Sequence, residues 1–161
     1  MRVITGTARG RRLKTPDNYD IRPTTDNVKE SVFNIIQFDI EGRQVLDLFA
    51  GTGQLGIECL SRGAAGAVFV DRDRDAVRIV KDNLKTCGMK ATVLQEDSIS
   101  FLNHCGKFDV IFIDPPYDSN LYESALKIIN LVDILSEGGI IICEARREKV
   151  LPEMTEPYRK R

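Results

Sequence analysis

Residues 45–56 read Val-Leu-Asp-Leu-Phe-Ala-Gly-Thr-Gly-Gln-Leu-Gly, an apolar strand followed by a glycine-rich turn and the start of a helix. A strand with a continuous apolar run is typical of parallel sheets, in which both faces are buried. In open α/β sheets, ligands bind in the crevice outside the carboxyl ends of the strands. We therefore expect this turn to lie at the centre of both the fold and a binding site.

Strands and helices alternate along most of the chain. Short runs rich in Val, Ile, Leu and Phe predict strands over 44–48, 67–71, 91–96, 108–113 and 140–144. Helical periodicity and capping signals predict helices from residue 26 onward and over 53–62, 74–87, 98–103 and 120–131. Strict alternation predicts an α/β fold with a doubly wound, mostly parallel, Rossmann-like sheet.

We expect residues 1–161 to form one domain. A chain of this length buries roughly 70% of the surface that its unfolded form exposes, so it can fold without disulfides or metals. The four cysteines (Cys59, Cys87, Cys105 and Cys143) form no C-x-x-C pair, and the single His104 adds no zinc-like spacing. We expect reduced cysteines, no metal, and a cytoplasmic monomer. The sequence has neither the apolar core of a signal peptide at its amino terminus nor a run of about 18 apolar residues. This disfavours secretion and membrane insertion.

Basic residues are concentrated at the amino terminus, although the net charge is only −1. Residues 1–16 contain no acidic residue but five basic ones, namely Arg2, Arg9, Arg11, Arg12 and Lys14. Clustered cations are typical of surfaces that bind nucleic-acid phosphates. We expect the segment 1–23 to bind phosphates, and the alternative is a solvated basic tail.

The glycines of the turn, Gly51, Gly53 and Gly56, satisfy the G-x-G-x-x-G pattern of dinucleotide-binding proteins. Asp71, at the end of the next predicted strand, fits the acidic residue that binds ribose hydroxyls in that class. These features alone leave a nicotinamide-dependent oxidoreductase open. Asp47, close to the tip of the first strand, argues against it, because a carboxylate there matches a cationic amino group better than a diphosphate.

S-adenosylmethionine carries such an amino group, because its methionine end has an ammonium and a carboxylate but no phosphate. In this interpretation Gly51 and Gly53 let the backbone approach the ligand, helix amides favour its carboxylate, and Asp47 takes its ammonium. The adenosine contacts fall to four further residues, with Asp71 on the ribose, Arg72 beside the adenine, and Asp97 and Ser98 on the adenine amine. For Asp97 and Ser98 a helix cap or turn remains the alternative.

A second motif, Asp114-Pro115-Pro116-Tyr117, follows the predicted strand 108–113. The two prolines remove two N–H donors and fix the backbone, so the turn offers a carboxylate, rigid carbonyl groups and an aromatic face. Such a turn suits an exocyclic amine on a stacked, planar base. The alternative is a strand exit followed by a tight turn and a capped helix.

Both motifs resemble those of Rossmann-type, class I S-adenosylmethionine-dependent methyltransferases that modify exocyclic amines of nucleobases. The amino-terminal half adds the motifs Arg2-Val-Ile-Thr-Gly6, Arg9-Gly-Arg11, Leu13-Lys-Thr-Pro16, Arg22-Pro-Thr-Thr-Asp26 and Glu30-Ser-Val-Phe-Asn34. With these, the chain resembles the small-subunit (16S) ribosomal RNA guanine N2-methyltransferase family of RsmD type. The resemblance runs from Met1 to about residue 147.

The resemblance implies methyl transfer from S-adenosylmethionine to the N2 amine of a guanine in small-subunit ribosomal RNA. It implies that Asp114 and Pro115 hold the amine and that Tyr117 stacks on the base. The RNA backbone would be bound by five basic residues, Arg9, Arg11, Arg12, Lys14 and Arg22. Family members continue with strands that complete the sheet, so we expect this chain, which stops at Arg161, to lack them.

Three other functions stay open at this point. A DNA or RNA methyltransferase acting on adenine N6 or cytosine N4 uses the same kind of turn, although the length leaves no room for a separate target-recognition domain. A nicotinamide-dependent oxidoreductase would use the glycine turn and Asp71. A non-catalytic RNA-binding assembly factor would use the basic segment alone.

Overall fold

The computed structural model describes residues 1–16, 26–116, 120–144, 154 and 158. Five helices occur in these residues: α1 (Asp26–Ile35), α2 (Gln54–Ser61), α3 (Arg74–Thr86), α4 (Ser98–Leu102) and α5 (Leu121–Leu131). The strands are β1 (Gln44–Leu48), β2 (Gly66–Asp71), β3 (Thr92–Gln95), β4 (Phe108–Ile113) and β5 (Leu135–Cys143). In the part of the chain that is described, no helix is long and apolar enough to cross a membrane.

The strands form one parallel sheet in the order β3-β2-β1-β4-β5. The chain moves outward from β1 to β2 and β3, then crosses back to place β4 on the other side of β1. The carboxyl ends of β1 and β4 therefore meet at the point where the strand order reverses, which is where open α/β sheets bind ligands. This confirms the predicted α/β fold and brings the two motifs of the sequence to one edge of the sheet.

Both faces of the sheet are covered by helices. Successive residues of a strand point to opposite faces, so Val45 packs into the apolar cluster on one face and Leu46 into the cluster on the other. The first cluster includes Phe33 of α1, and the second includes Phe101 of α4. The sheet is therefore doubly wound, as predicted.

The last strand begins five residues earlier than predicted. The Gly-Gly pair at 138–139 indicates a turn, but the chain stays in the sheet through a bulge, because Phe108 pairs with Leu135 while Val110 pairs with Ile140. A side chain at Gly139 would bring its Cβ within 2.9 Å of the Asp109 carbonyl oxygen. The glycine therefore allows the bulge to pack against β4 and does not end the strand.

Residues 1–16, called the amino-terminal hairpin below, fold against the domain. Arg2 and Arg12 form an antiparallel bridge. The carboxylate of Glu58, fully buried on α2, accepts hydrogen bonds from the backbone N–H groups of Ile4 and Thr5 at 2.8 and 3.0 Å. These residues of the basic segment are thus part of the domain surface, and the solvated-tail alternative does not hold for them.

Candidate active site

Two glycines of the turn after β1 have a left-handed backbone, which glycine adopts without strain. Gly51 and Gly53 have φ values of +55° and +74°. A Cβ at Gly53 would lie 3.1 Å from Val80 and 3.3 Å from the ring of Phe69. Gly53 precedes the first turn of α2 and has no side chain with which to cap it. The Gly56 N–H is bonded to the Asp47 side chain, and the amides of Gln54 and Leu55 remain available to an anionic group at the edge of the sheet.

Gly56, the third glycine of the pattern, permits close packing of α2 on the sheet. A Cβ there would lie 2.4 Å from the ring of Phe69 and 3.2 Å from Oδ2 of Asp47. The N–H of Gly56 donates to that same oxygen at 2.9 Å. The helix can approach β1 this closely only because the side chain is missing.

Asp47 lies beneath the first turn of α2 and is only 2% exposed. Burial raises the pKa of its carboxyl group from 3.8 to about 8, the Gly56 N–H opposes this shift, and the charges of Asp114 and Asp71 add to it. A cation nearby would favour the ionised form and lower this pKa again. The contact with an ammonium predicted for Asp47 stays a prediction, and the observed partner of the side chain is the backbone of α2.

Asp71 holds the glycine turn in place from the end of β2. Its Oδ2 accepts from the Gly51 N–H at 2.8 Å, and its Oδ1 accepts from the Asp73 N–H at 2.9 Å. A carboxylate has about four acceptor positions, so both oxygens can still accept from ribose hydroxyls. Sequence reasoning predicted only the ligand contact and missed the support that Asp71 gives to the turn.

The residues predicted beside the adenine lie next along the same edge. The N–H of Glu96 donates to the Asp71 carbonyl at 3.0 Å, which joins the end of β3 to that of β2. Asp97 caps α4 by accepting from the Ser100 N–H at 2.9 Å, so the helix-cap alternative holds for it. Arg72 is exposed, and Ser98 is buried at the start of α4.

Gln54, the first residue of α2, has a buried side-chain oxygen that lacks a hydrogen-bond partner among the described residues. Buried acceptors in native proteins are nearly always paired, so an orphaned one beside a candidate site points to a donor that a ligand brings. The ammonium and the ribose hydroxyls of S-adenosylmethionine are such donors. Sequence reasoning missed Gln54, because glutamine is an ordinary residue in the first turn of a helix.

Asp114 follows β4 and lines a cavity of about 190 Å³ that reaches the first turn of α2 at Leu55. Burial, with a smaller effect of the nearby Glu144 charge, raises its pKa from 3.8 to about 7. Pro115 is buried and Pro116 is exposed, whereas Tyr117 lies outside the described residues. The other walls come from α1, α2 and the ends of β4 and β5, through Val28, Lys29, Val32, Leu55, Phe112, Ile113, Ile142, Cys143 and Glu144.

Lys29 of α1 connects this cavity to the amino-terminal hairpin. Its side chain is fully buried, its Nζ donates to the Arg2 carbonyl at 2.7 Å, and the same atom lies 3.8 Å from Oε2 of Glu58. Glu58 is also paired with Arg62, at 2.9 Å. Sequence reasoning missed this buried charge network, because lysine and glutamate on helices usually face solvent.

Asn83 of α3 connects the hairpin to the glycine turn. Its Oδ1 accepts from the Lys14 N–H at 2.7 Å, and its Nδ2 donates to the carbonyl oxygens of Lys14 and Thr52 at 3.2 and 2.9 Å. The side chain is fully buried. The predicted phosphate-binding segment and the predicted cofactor turn are therefore joined by a single amide.

The basic side chains of the hairpin are exposed. Lys14 pairs with Asp82 at 2.8 Å. Within the described residues, Arg9, Arg11 and Arg12 have no ion-pair partner. Arg22 lies outside those residues, as does the rest of the predicted segment after residue 16. The three arginines form a cationic surface joined to the site by the hairpin.

Comparison with known proteins gives concordant matches. A family model described as conserved hypothetical protein 95 matches residues 1–161. The chain is 46% identical to "Putative rRNA methyltransferase YlbH" of Bacillus subtilis (strain 168), covering 95% of this chain and 86% of that protein. It is 38% identical to "Ribosomal RNA small subunit methyltransferase D" of Escherichia coli (strain K12), covering 94% and 78%. The solved structure "Putative methyltransferase yhhF from Escherichia coli" matches with a TM-score of 0.83 and 37% identity, covering 94% of this chain and 85% of that one.

Proposed function

This chain belongs to the conserved hypothetical protein 95 family, and because its relatives are named as ribosomal RNA methyltransferases we propose that it methylates ribosomal RNA. The methyl donor is S-adenosylmethionine, and the acceptor is the exocyclic N2 amine of a guanine in the small subunit. The observation that carries this proposal is that the glycine turn after β1 and the Asp114-Pro115 segment after β4 follow neighbouring strands of the sheet. A donor site and an acceptor site thus share one edge of the sheet.

The residues present fit the methyl donor. Asp71 supports the turn and keeps acceptor capacity for the ribose hydroxyls, and the orphaned oxygen of Gln54 is an acceptor for one of the donor groups of the ligand. The open N-terminus of α2 favours the carboxylate of the methionine end. Asp47 lies below and becomes the counter-charge to the ammonium. Arg72, Asp97 and Ser98 extend the site toward the adenine.

S-adenosylmethionine supplies a methyl group that its sulfonium already activates, so the protein mainly has to align the acceptor amine. Asp114 and the Pro115 carbonyl accept from the two N–H groups of the amine, which orients the nitrogen lone pair. Positive charge then develops on this nitrogen, where Asp114 stabilises it and takes the proton. The raised pKa of about 7 suits Asp114 to proton transfer near neutral pH.

The RNA is bound by the exposed arginines of the hairpin, Arg9, Arg11 and Arg12, together with Lys14 and Arg22. Contacts to phosphates position the RNA, and the target base leaves its stack to enter the cavity, where Tyr117 stacks on it. The chain acts as one domain over residues 1–161, as a monomer in the cytoplasm.

The test is methyl transfer from labelled S-adenosylmethionine to small ribosomal subunits isolated from cells that lack this activity. Digestion and nucleoside mass analysis are expected to give N2-methylguanosine, and nuclease mapping then locates the modified guanine. The variant Asp114→Asn is expected to lower the rate of methyl transfer by at least about 100-fold. Its cofactor affinity, measured by calorimetry, should change little. Methylated adenosine or cytidine would overturn the guanine assignment, and binding of the cofactor without transfer would favour an assembly factor.

A further inference from the structure

A second carboxylate lies beside Asp114 in the same cavity. Glu144 follows β5, and its N–H donates to the Ile113 carbonyl at 3.1 Å, which fixes its backbone next to the end of β4. Asp114 and Glu144 both line the cavity of about 190 Å³, and the charge of Glu144 raises the pKa of Asp114. In the proposed methyl transfer, Asp114 has a role and Glu144 has none.

The cavity around the two carboxylates has the character of a pocket for one planar base. Val28, Val32, Leu55 and Ile142 contribute apolar walls that can cover ring faces. A base inside such a pocket has to be identified by hydrogen bonds to its Watson–Crick edge. The polar groups that face the pocket thus decide which edge is accepted. Lys29 also lines the cavity, but its ammonium is held by the Arg2 carbonyl and Glu58, so the two carboxylates are the groups that can meet the base.

Two ionised carboxylates only accept hydrogen bonds. Guanine presents two neighbouring donors, the ring N1–H and the N2 amine, whereas adenine and cytosine present an amine next to a ring nitrogen that carries a lone pair. Two adjacent acceptors are therefore complementary to guanine. With adenine or cytosine, one carboxylate would face a lone pair, which repels it and loses the hydrogen bond that guanine provides.

We propose that Glu144 is a specificity-determining residue that accepts a hydrogen bond from N1–H of the target guanine while Asp114 accepts from the N2 amine. This inference rests on the proposed function and names the group that selects guanine within it. Because a carboxylate has about four acceptor positions, Glu144 can make this contact in addition to others.

The test uses 2,6-diaminopurine, a base that keeps the N2 amine but has a lone pair at N1 in place of the N1–H. Small subunits are reconstituted from splint-ligated RNA that carries guanine or this analogue at the mapped position. Transfer is measured at pH 8, above the pKa of about 7 of Asp114. The wild-type protein is expected to prefer guanine by at least about 100-fold in kcat/KM, because the analogue leaves Glu144 facing a lone pair.

The variant Glu144→Gln should reduce this preference to within about tenfold, because an amide can donate to the ring nitrogen as well as accept from N1–H. The matched control is Glu137→Gln, an exposed carboxylate on β5, which should keep the wild-type preference. Unchanged cofactor affinity in both variants shows that they are folded.

The outcomes separate this inference from the proposed function. Equal transfer to guanine and to the analogue by the wild-type protein would overturn the role of Glu144 without need of any variant. The same conclusion follows if a folded Glu144→Gln protein keeps the full preference for guanine. Failure of the wild-type protein to methylate the N2 amine of guanine at all would instead overturn the proposed function.

Discussion

The carboxyl group of Asp47 is the most strongly perturbed acid next to the glycine turn. Its pKa rises from 3.8 to about 8, mainly because it is buried, although the Gly56 N–H favours the ionised form. The folded protein therefore binds more protons than the unfolded chain between these two pH values. The contribution of this group to the free energy of unfolding is highest below pH 4 and falls as the pH rises to about 8.

Asp47→Asn should flatten this pH dependence, because the amide cannot ionise but still has an oxygen that can accept from Gly56. We expect the free energy of unfolding of the ligand-free variant to decline less between pH 5 and pH 8, by an amount on the order of a few kcal/mol. Urea denaturation followed by circular dichroism at both pH values measures this difference. Equal declines in the two proteins would show that Asp47 does not titrate in this range. Asp114, with a pKa of about 7, contributes a smaller decline to both.

Polar residues that are buried on helices limit what could be predicted at this scale. Asp71, Gly51 and Gly53 were predicted to line one cofactor site, because their positions follow from strand ends and glycine spacing. The contacts of Lys29 and Asn83 were not predicted, because their partners lie 27 and 69 residues away in the chain. A lysine or asparagine on a helix gives no local signal that a distant backbone group will bury it.

At the level of elements, the sequence predicts strands well where apolar runs are continuous and less well where glycines interrupt them. The bounds of β1 and β4 agree with the prediction, and these two strands position both motifs. The start of β5 was predicted five residues late, because the bulge at Gly138 and Gly139 resembles a turn in the sequence. The error did not affect the site, which depends on the other end of the strand.

The connection between the amino-terminal hairpin and α3 gives a prediction for stability. Asn83→Ala removes the side-chain partners of the Lys14 backbone and of the Thr52 carbonyl. Because these groups are then left without partners in a partly buried place, we expect the free energy of unfolding to fall by about 2 kcal/mol or more. Urea denaturation at neutral pH measures the loss.

The matched control is Asn103→Ala, which removes an exposed asparagine that follows α4 and whose amide donates to the Ile99 carbonyl of that helix. This change should cost about 0.5 kcal/mol or less. Similar losses in the two variants would mean that Asn83 does not join the hairpin to the domain. Cofactor affinity gives a second readout, since of these two asparagines Asn83 contacts the glycine turn, and its loss should weaken binding severalfold.

For the whole molecule, the arrangement of charge matters more than its sum. The net charge is −1, yet Arg9, Arg11 and Arg12 together form an exposed cationic surface at one end of the chain. The resemblance to the ribosomal RNA methyltransferase family, which included this basic opening, is confirmed by the family match over residues 1–161. The sequence could not predict that the opening folds onto α2. Its anchors there are Glu58 and Ser61, whose side chains accept from backbone N–H groups of the hairpin but look like ordinary helix residues in the sequence.

Replacing Arg9, Arg11 and Arg12 by alanine should weaken RNA binding through lost phosphate contacts. Each contact to single-stranded RNA contributes about 0.7 to the slope of log affinity against log salt, so the triple variant should lower the slope by about 2. Titration of a small-subunit RNA fragment at several salt concentrations measures it. Affinity for S-adenosylmethionine should stay at the wild-type value, since these side chains lie outside the site.

The control for this prediction replaces Arg78 and Lys107, which are cations already paired with Asp75 and Asp133. Removing them should leave the salt slope within about 0.5 of the wild-type value, because their charge is locally compensated and lies off the hairpin. An equal loss of slope in both variants would mean that RNA senses the cations of the whole surface. An unchanged slope in the triple variant would mean that RNA binds to a surface other than the hairpin. The target base would then enter the cavity beside Asp114 from another direction.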